Sequence, residues 1–461
     1  MRVTLLGHAS VLVEVGGRTV LIDPVFGESF AEGMLVPCPV RRVLPGRLPK
    51  IDLVVLTDSF PDHFDIPTLA TLSRDAAVMC PKDTRILYAL EKLGFRKVEP
   101  ASPGFIFRSR GSLEIVTTPS LRPVTEFGVV IKDPTGVFWH PAATQVNAPV
   151  VNQVRGHAGW VDLFFARYAV PDLVYLGAQR AGFPGPFLRD AVAQVRHLAP
   201  SLVVPGSGGV RFAQPFAWTN AFLFPISRER FLADLRRVAP DLRSAPGNPG
   251  DVFEIRDREV ERRAKASPAA TMIEDDTHRI EFDPTAAVPP LCDPNLDGYG
   301  ADVLDAQVHL TLDELTGFIG GAHTTDPVLQ DHQRARGSYG LGVVFPDGSE
   351  RWLRATFAGQ GPTVERGEGT IRGTVNTQRI AASVLTARAR GERSYPFPGG
   401  LTRGTAVSPA RVVEGRVVVE PREPPDLLLH YLRNRPPGWA HHSKRFLDHQ
   451  LAPYLAKARV R

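Results

Sequence analysis

Short runs of β-branched and aliphatic residues, separated by turn residues, dominate the opening part of the chain. They predict strands at Val3–Leu6, Val11–Val15 and Thr19–Ile22, and the Gly16-Gly17 pair between the last two is a two-residue hairpin signal. The run Ile51–Leu56 is apolar throughout, which is typical of a strand buried on both faces. The chain therefore begins as a meander of strands and continues into a covered sheet.

The segments that follow alternate between the helical period of apolar positions and the unbroken apolar runs of buried strands. We predict helices at Pro67–Leu72, Thr84–Leu93, Phe187–Leu198 and Arg228–Val238. We predict further strands at Glu114–Thr117, Gly128–Ile131, Val137–Trp139, Leu173–Leu176 and Ser201–Val204. Meanders combined with βαβ units predict an α/β fold, a two-layered β-sandwich covered by helices.

The composition changes near Val260, where Arg258–Ala270 is charged and then rich in small residues, as in a linker. Beyond it the pattern predicts a strand and a helix N-cap at Val308–Leu315, a hairpin around Asp347-Gly348, a helix at Arg379–Arg390 and two strands around Gly415. We therefore predict a first domain at 1–258 and a second, smaller α+β domain with a helical tail at 259–461.

The length of 461 residues also favours two domains over a single core. The net charge of +5 is small for this length and the arginines are scattered, which argues against a nucleic-acid-binding surface. No run of 18 apolar residues is present, and the apolar start is too short for a secretion signal. We therefore expect a cytoplasmic protein that does not bind membranes or nucleic acid.

The three cysteines, Cys38, Cys80 and Cys292, lie far apart in the sequence and show no CxxC or CxH spacing. This spacing argues against a disulfide framework, a zinc knuckle and an iron–sulfur cluster. We expect buried, reduced thiols.

The candidate chemistry lies in the segment Leu56–Asp65, which reads LTDSFPDHFD and follows a predicted buried strand. Loops at the carboxyl ends of strands are where α/β proteins bind their ligands. Carboxylates and an imidazole spaced like Asp58, Asp62 and His63 can fold back around one cation.

This segment resembles the HxHxDH loop of the metallo-β-lactamase superfamily, with Asp62 and His63 at matching positions. The opening, Gly7-His8-Ala9-Ser10 followed by a hairpin and Asp23-Pro24, resembles the L-ascorbate-6-phosphate lactonase branch. Later segments, such as Asn248-Pro249-Gly250-Asp251, are similar to CMP-N-acetylneuraminate hydroxylase. The resemblance covers residues 1–255 and implies the αβ/βα sandwich of that superfamily.

Most metal ligands of that superfamily are replaced in this chain. Asp58 and Phe60 stand in place of the first two histidines of the loop, and Ser120-Leu121-Arg122 stands where the next histidine is expected. His140 replaces the bridging aspartate, and Gly206-Ser207-Gly208 replaces the last histidine. Since a dinuclear zinc site needs about five or six ligands, the resemblance implies a mononuclear site or a site without metal.

The remaining candidates each have a functional and a structural interpretation. Asp62 and His63 are either metal ligands or a loop-capping carboxylate bonded to an imidazole. Asp58 is either an oxygen ligand or a turn-forming residue. His140 is a substitute ligand, a general base or a buried core histidine. His8 is a catalytic candidate because the lactonase branch carries a histidine at that place.

Arginines give a further candidate feature. Arg122 and Arg180 lie on loops near the expected cleft, and a guanidinium in place of a metal ligand can hold an anionic group through two hydrogen bonds. The structural interpretation is that both are solvated loop residues.

We therefore predict Asp58, Asp62, His63 and His140 as metal ligands, and His8, Asp62 and His140 as catalytic residues. The cofactor is one divalent transition metal (Fe, Zn or Mn), or none. The predicted function is an enzyme of altered oxygenase- or hydrolase-type chemistry that acts on a small polar metabolite. The alternative is a catalytically inactive binding or scaffold protein that retains the fold.

The predicted partners follow from these assignments. The main one is the small-molecule substrate, joined by a redox partner protein if the chemistry is oxidative. The second domain resembles sterol-carrier-type domains around the Leu341–Phe357 hairpin and Trp352, which suggests an apolar ligand or a homodimer contact.

Overall fold

The computed structural model describes residues 1–109, 112–169, 183–372, 374, 376–393, 402–406, 410–419, 427–434 and 439–458. These residues form two compact units. The first unit contains 1–169, 183–284 and 450–458, and the second contains the described residues of 285–449. None of the helices in this part of the chain is long and apolar enough to cross a membrane.

The first unit alternates strands and helices along the chain. Its strands are β1 (Arg2–Gly7), β2 (Ser10–Val15), β3 (Arg18–Ile22), β4 (Leu35–Pro37), β5 (Val40–Val43), β6 (Leu53–Val55), β7 (Ala77–Pro81), β8 (Val98–Ala101), β9 (Ile106–Arg108), β10 (Glu114–Thr118), β11 (Gly128–Asp133), β12 (Gly136–His140), β13 (Leu163–Arg167), β14 (Leu202–Ser207), β15 (Val210–Phe212), β16 (Val252–Arg256), β17 (Glu259–Arg263) and β18 (Ala270–Glu274). Its helices are α1 (Ile66–Thr71), α2 (Thr84–Leu93), α3 (Ala148–Ala158), α4 (Gly185–Leu198), α5 (Asn220–Leu223) and α6 (Arg228–Val238).

Two mixed sheets form the centre of this unit. The eight-stranded sheet has the order β17-β16-β1-β2-β3-β6-β7-β8, with antiparallel pairs up to β3 and parallel pairs from β3 to β8. The six-stranded sheet has the order β14-β13-β12-β11-β10-β9, parallel from β14 to β12 and antiparallel beyond. The predicted Gly16-Gly17 hairpin joins β2 to β3.

The two sheets pack face to face through one apolar core. Val13, Ile22 and Val55 of the eight-stranded sheet lie in the same buried cluster as Ile131 and Phe138 of the six-stranded sheet. A second cluster covers the other face of the six-stranded sheet with α3, α4 and α6. The predicted αβ/βα sandwich is therefore confirmed, because both sheets bury apolar residues on their shared face.

The first unit continues beyond the predicted boundary at residue 258. β17 pairs with β16 from Glu259 to Arg263, and β18 pairs with β5. Val260 is buried in the core between the sheets while Glu259 and Glu261 are exposed. The segment Arg258–Ala270 therefore supplies an edge strand, and its charges, which suggested a linker, lie on the solvent face of that strand.

The second unit is built on a five-stranded sheet and a separate strand pair. The strands of the unit are β19 (Ser338–Val344), β20 (Glu350–Thr356), β21 (Thr363–Glu368), β22 (Asn376–Ala381), β23 (Thr402–Ala406), β24 (Ala410–Val413) and β25 (Arg416–Val419). Its helices are α7 (Ala301–Ala322), α8 (Pro327–Ala335), α9 (Ala382–Arg390) and α10 (Leu427–Asn434), followed in the chain by α11 (Trp439–Ala458). The sheet order is β21-β20-β19-β22-β23, which confirms a second α+β domain. Sterol-carrier-type ligand binding stays a prediction.

Two local predictions in this unit are wrong. Val308–Leu315 lies inside α7, and the Thr311 hydroxyl donates to the Gln307 carbonyl one turn earlier (2.9 Å) instead of capping a helix start. The segment Arg379–Arg390 is a strand up to Ala381 and becomes helical only in α9, because β22 pairs with β19 on one side and β23 on the other. The predicted strand Leu173–Leu176 lies outside the described residues.

The cysteines are only partly as expected. Cys38 and Cys80 are buried and free, as predicted. Cys292 is exposed, because it lies in an irregular segment before α7 and not in a strand or helix of the core.

Candidate metal centre

The carboxyl ends of β3 and β12, one from each sheet, meet at the turn between β1 and β2. The Ser10 hydroxyl donates to the Asp23 carbonyl just after β3 (2.7 Å). Nε2 of His140, the last residue of β12, lies 3.1 Å from the carbonyl oxygen of Ala9 in the same turn. Both sheets thus bring strand ends to one place, which is where α/β folds place their functional loops.

His63 is held in place by a buried carboxylate. Its Nδ1 lies 2.7 Å from Oδ2 of Asp23, and both side chains are inaccessible to solvent. Asp23 is itself fixed by Thr57, whose backbone N–H and hydroxyl donate to its two oxygens at 2.7 and 2.6 Å. Because Nδ1 is hydrogen-bonded to the carboxylate, Nε2 is the ring atom that can bind a metal ion. This is the usual carboxylate–histidine–metal arrangement.

His8 reaches the same cleft from the turn between β1 and β2. Its Nε2 lies 3.1 Å from Oδ2 of Asp62, and its ring centroid lies 5.5 Å from that of His63. His8 and Asp23 both have a left-handed backbone, with φ of 52° and 43°. Non-glycine residues adopt this conformation at a cost, and such strain clusters at functional sites.

His8, Asp62 and His63 form the group that can share one metal ion. One potential ligand atom from each of the three lies within 4.8 Å of the others, and no other such group of histidine, cysteine or acidic residues occurs in the part of the chain that the structure describes. The Oδ2 atom of Asp58 lies 3.8 Å from Nε2 of His63 and has no hydrogen-bond partner although it is buried. An unpaired buried carboxylate oxygen beside the His63 imidazole fits a site built for a cation.

The charges at this site are strongly coupled. Burial alone would lower the pKa of His63, but the carboxylates of Asp58, Asp62 and Asp23 raise it to about 10. Burial raises the pKa of Asp58 to about 7. Burial works in the same direction on Asp62, yet His63 and His8 hold the pKa of that carboxyl below its ordinary value. The carboxylates thus need a positive partner, which is either protonated His63 or a metal ion.

His140 is placed outside this group. It is fully buried, its ring stacks on Phe138 with centroids 6.2 Å apart, and its Nε2 faces the Ala9 carbonyl. Burial lowers the pKa of His140 to about 4. Asp58 also lies outside the group, although its oxygen faces His63. The geometry therefore favours His8 as the third ligand in the place that the sequence assigned to Asp58 or His140.

The replaced ligand positions contact one another. The guanidinium carbon of Arg122 lies 5.5 Å from the ring centroid of Phe60, a cation–π distance. Arg122 also pairs with the buried carboxylate of Glu126, with 3.3 Å between Nη1 and Oε2. Two positions that hold histidines in the superfamily pattern have thus become an arginine and an aromatic ring at the side of the cleft. Arg180 lies outside the described residues.

The segment Gly206-Ser207-Gly208 has a packing role that excludes a ligand. A Cβ placed on Gly206 would lie 2.3 Å from Cβ of Phe165 on the neighbouring strand β13. Ser207 is buried and its backbone carbonyl accepts from the Tyr168 N–H at 3.3 Å. Close approach of β13 and β14 has replaced the last metal ligand of the superfamily pattern.

Sequence reasoning missed two residues of the site, Asp23 and Arg167. Asp23 belongs to the Asp23-Pro24 pair, and the sequence signal for its role is a carboxylate directly after a buried strand. Arg167 ends β13, a strand that was not predicted although Leu163–Ala166 is a continuous apolar run. A cation at the end of a buried strand was the available signal.

Comparisons with known proteins place the chain among relatives. Residues 18–205 match the family described as "Beta-lactamase superfamily domain". A UPF0173 metal-dependent hydrolase from Caldivirga maquilingensis is 28% identical over 256 residues, which cover 54% of this chain and 96% of the relative. A protein of Mycobacterium tuberculosis named as a Rieske 2Fe-2S iron–sulfur protein is 27% identical over 241 residues. That match covers 47% of this chain and 45% of the relative, so the chain spans less than half of that protein.

Solved structures were also found that are similar to this chain. The isothiocyanate hydrolase from Delia radicum gut bacteria is 15% identical with a TM-score of 0.41, covering 56% of this chain and 100% of that one. These matches do not single out the lactonase or the hydroxylase branch that the sequence suggested. The family match and the two packed mixed sheets agree with each other. Residues 18–205 are therefore similar in sequence to a β-lactamase superfamily domain.

Proposed function

We propose that this protein is a metal-dependent hydrolase with one divalent transition metal held by His8, Asp62 and His63. The observation that carries the proposal is the convergence of these three side chains, with ligand atoms within 4.8 Å of one another. Three protein ligands leave coordination positions open, as catalytic zinc sites require. Asp23, bonded to His63 Nδ1, supplies the outer support that such ligands usually have.

The residues around this group divide the work of hydrolysis. A divalent ion, when bound, polarises the substrate and lowers the pKa of a water molecule. Asp58 is the general base of the proposal, since its Oδ2 has no hydrogen-bond partner and lies 3.8 Å from Nε2 of His63. His140 positions the turn that carries His8, through the contact between its Nε2 and the Ala9 carbonyl.

The relatives support a hydrolase over an oxygenase. The Caldivirga maquilingensis relative, which this chain covers almost completely, is named as a metal-dependent hydrolase. The iron–sulfur name of the Mycobacterium tuberculosis protein belongs to a protein of which the chain covers 45%. The three cysteines of this sequence lack the CxxC and CxH spacing that is typical of such clusters.

Metal analysis of the purified full chain tests the proposal. We expect one zinc, manganese or iron ion per chain. His8→Ala and His63→Ala should each lose about tenfold or more in metal affinity, because each removes a ligand. His157→Ala is the matched control, since His157 lies on α3 and pairs with Glu114 at 2.6 Å, away from the cleft. Metal affinity that is unchanged in both His8→Ala and His63→Ala would contradict the proposal.

The second candidate is a scaffold or binding protein without catalysis. The specific observation in its favour is the loss of metal ligands at Phe60 and at Gly206-Ser207-Gly208, where a Cβ on either glycine would collide with Phe165 or Ala169. This candidate predicts that the wild-type chain binds no transition metal at micromolar concentration. It also predicts that no hydrolysis of lactone, phosphoester or amide substrates is detected.

A further inference from the structure

Arg167 is a cation that lies near the carboxylates of the candidate metal centre. It ends β13, where its backbone pairs with Ser207 of β14, but its side chain makes no hydrogen bond or ion pair with any residue in the described part of the chain. Its guanidinium carbon lies 5.7 Å from the ring centroid of Phe187, so one side of the group packs on an aromatic ring. The residue is only partly buried.

The position of Arg167 follows from strand register. β12 and β13 run parallel, with Trp139 opposite Phe164, so Arg167 lies three residues beyond that pair at the carboxyl edge. Its electrostatic partners are the carboxylates of Asp62, Asp58 and Glu126 and the guanidinium of Arg122. Burial and then the like charge of Arg122 lower the pKa of Arg167 to about 10, so it stays cationic at neutral pH.

Arg122 brings a second guanidinium to the same region. Its side chain packs over Phe60, whose backbone N–H donates to Asp58 at 2.7 Å, so it stands against the loop that carries Asp62 and His63. Arg122 already has a carboxylate partner in Glu126, whereas the side chain of Arg167 pairs with no carboxylate among the described residues. A guanidinium has five donors, and a partly buried one without acceptors is costly unless a ligand supplies them.

We propose that Arg167, assisted by Arg122, binds an anionic group of the substrate, so that the hydrolase acts on small acidic molecules carrying a carboxylate or a phosphate. This inference rests on the proposed function for the hydrolytic step, but the anion site stands on its own residues. A carboxylate and a phosphate share one feature, a pair of oxygen atoms that can accept parallel hydrogen bonds from one guanidinium. Phe60, which is 39% exposed, offers an apolar surface beside Arg122 for the rest of the molecule.

Calorimetric titration of the metal-free full chain with inorganic phosphate, and separately with acetate, tests the anion site. We expect at least one of the two to bind, and the tighter one to identify the natural group. Arg167→Gln should weaken that binding by about tenfold or more, and Arg167→Lys by less, because Lys keeps the charge but loses the planar pair of donors. Arg189→Gln is the matched control, since Arg189 is 73% exposed on α4, and it should bind as the wild type does.

The outcomes separate this inference from the proposed function. Anion binding that is lost in Arg167→Gln, together with unchanged metal affinity in the same variant, supports the anion site. Failure of both probes to bind, or equal binding by wild type and Arg167→Gln, overturns it. A chain that binds anions through Arg167 but takes up no metal overturns the proposed function while leaving the anion site intact. Circular dichroism of each variant shows whether a loss of binding reflects misfolding.

Discussion

The buried Asp23 offers the sharpest test of how this site is held together. Its two oxygens accept from the Thr57 N–H, the Thr57 hydroxyl and the His63 ring within 2.6 to 2.7 Å, and its side chain is inaccessible to solvent. Asp23→Asn keeps the size of the side chain but turns one acceptor oxygen into a donor. The amide then faces donors, and His63 loses the partner that fixes its ring.

Two effects of this substitution can be sized separately. A partner that fixes a metal-bound imidazole is worth about 10–100-fold in metal affinity, or about 1.4–2.7 kcal/mol. An unsatisfied buried donor costs about 1–3 kcal/mol in the free energy of unfolding. Asp23→Asn should therefore bind zinc at least tenfold more weakly and also unfold at lower urea concentration than the wild type.

Zinc affinity measured by competition with a chelator, and urea unfolding of the metal-free chain, give the two numbers. Asp52→Asn is the matched control, since Asp52 also accepts from a backbone N–H of the eight-stranded sheet, that of Thr19 at 2.9 Å, but is 30% exposed. Zinc affinity within twofold of the wild type in a folded Asp23→Asn protein would refute the idea that Asp23 positions a metal ligand. An equal loss in Asp52→Asn would show that the effect is only loss of stability.

Three further predictions concern the scaffold. Val260→Asp should lower the free energy of unfolding by more than about 2 kcal/mol in urea titration, because Val260 is 3% exposed in the core. An unchanged free energy of unfolding would instead favour a linker at this segment. Gly206→Ala should cost about 1–3 kcal/mol by the same measurement, since the added Cβ meets Phe165. Gly46→Ala, with open space around it, should cost less. Iodoacetamide at neutral pH should label Cys292 in the native chain and spare Cys38 and Cys80. Burial raises the pKa of both buried thiols, that of Cys80 to about 12, so neither is a thiolate at neutral pH. Labelled Cys80, detected by mass spectrometry, would contradict this.

The zinc-affinity and anion-binding measurements are linked by one comparison. Arg167→Gln removes a cation near Asp62 without touching a ligand, so its metal affinity should stay the same or rise slightly. His63→Ala removes a ligand and should leave phosphate binding by the metal-free chain within about threefold, since Arg167 is unchanged. A clear loss of metal affinity in Arg167→Gln, or a clear loss of phosphate binding in His63→Ala, would show that the two sites are not separate.

The sequence alone determined those parts of the fold that depend on local pattern. The strands and hairpin at the start of the chain, the helix Thr84–Leu93 and the identity of the Asp58–Asp65 loop follow from apolar periodicity, turn residues and a short motif. These features involve neighbours in the chain, so their physical cause can be read without knowing what lies across the core.

Only the tertiary structure decided which residues share the site. His8 and Asp62 are 54 positions apart and meet because the β1–β2 turn adopts a left-handed backbone at His8. His140 has the residue type of a ligand, yet strand register directs it to the Ala9 carbonyl. The sequence of β17 is charged and resembles a linker, but β17 pairs with β16 and places Val260 in the core. Contacts between distant segments depend on register and packing, and neither is contained in the local pattern of a single strand.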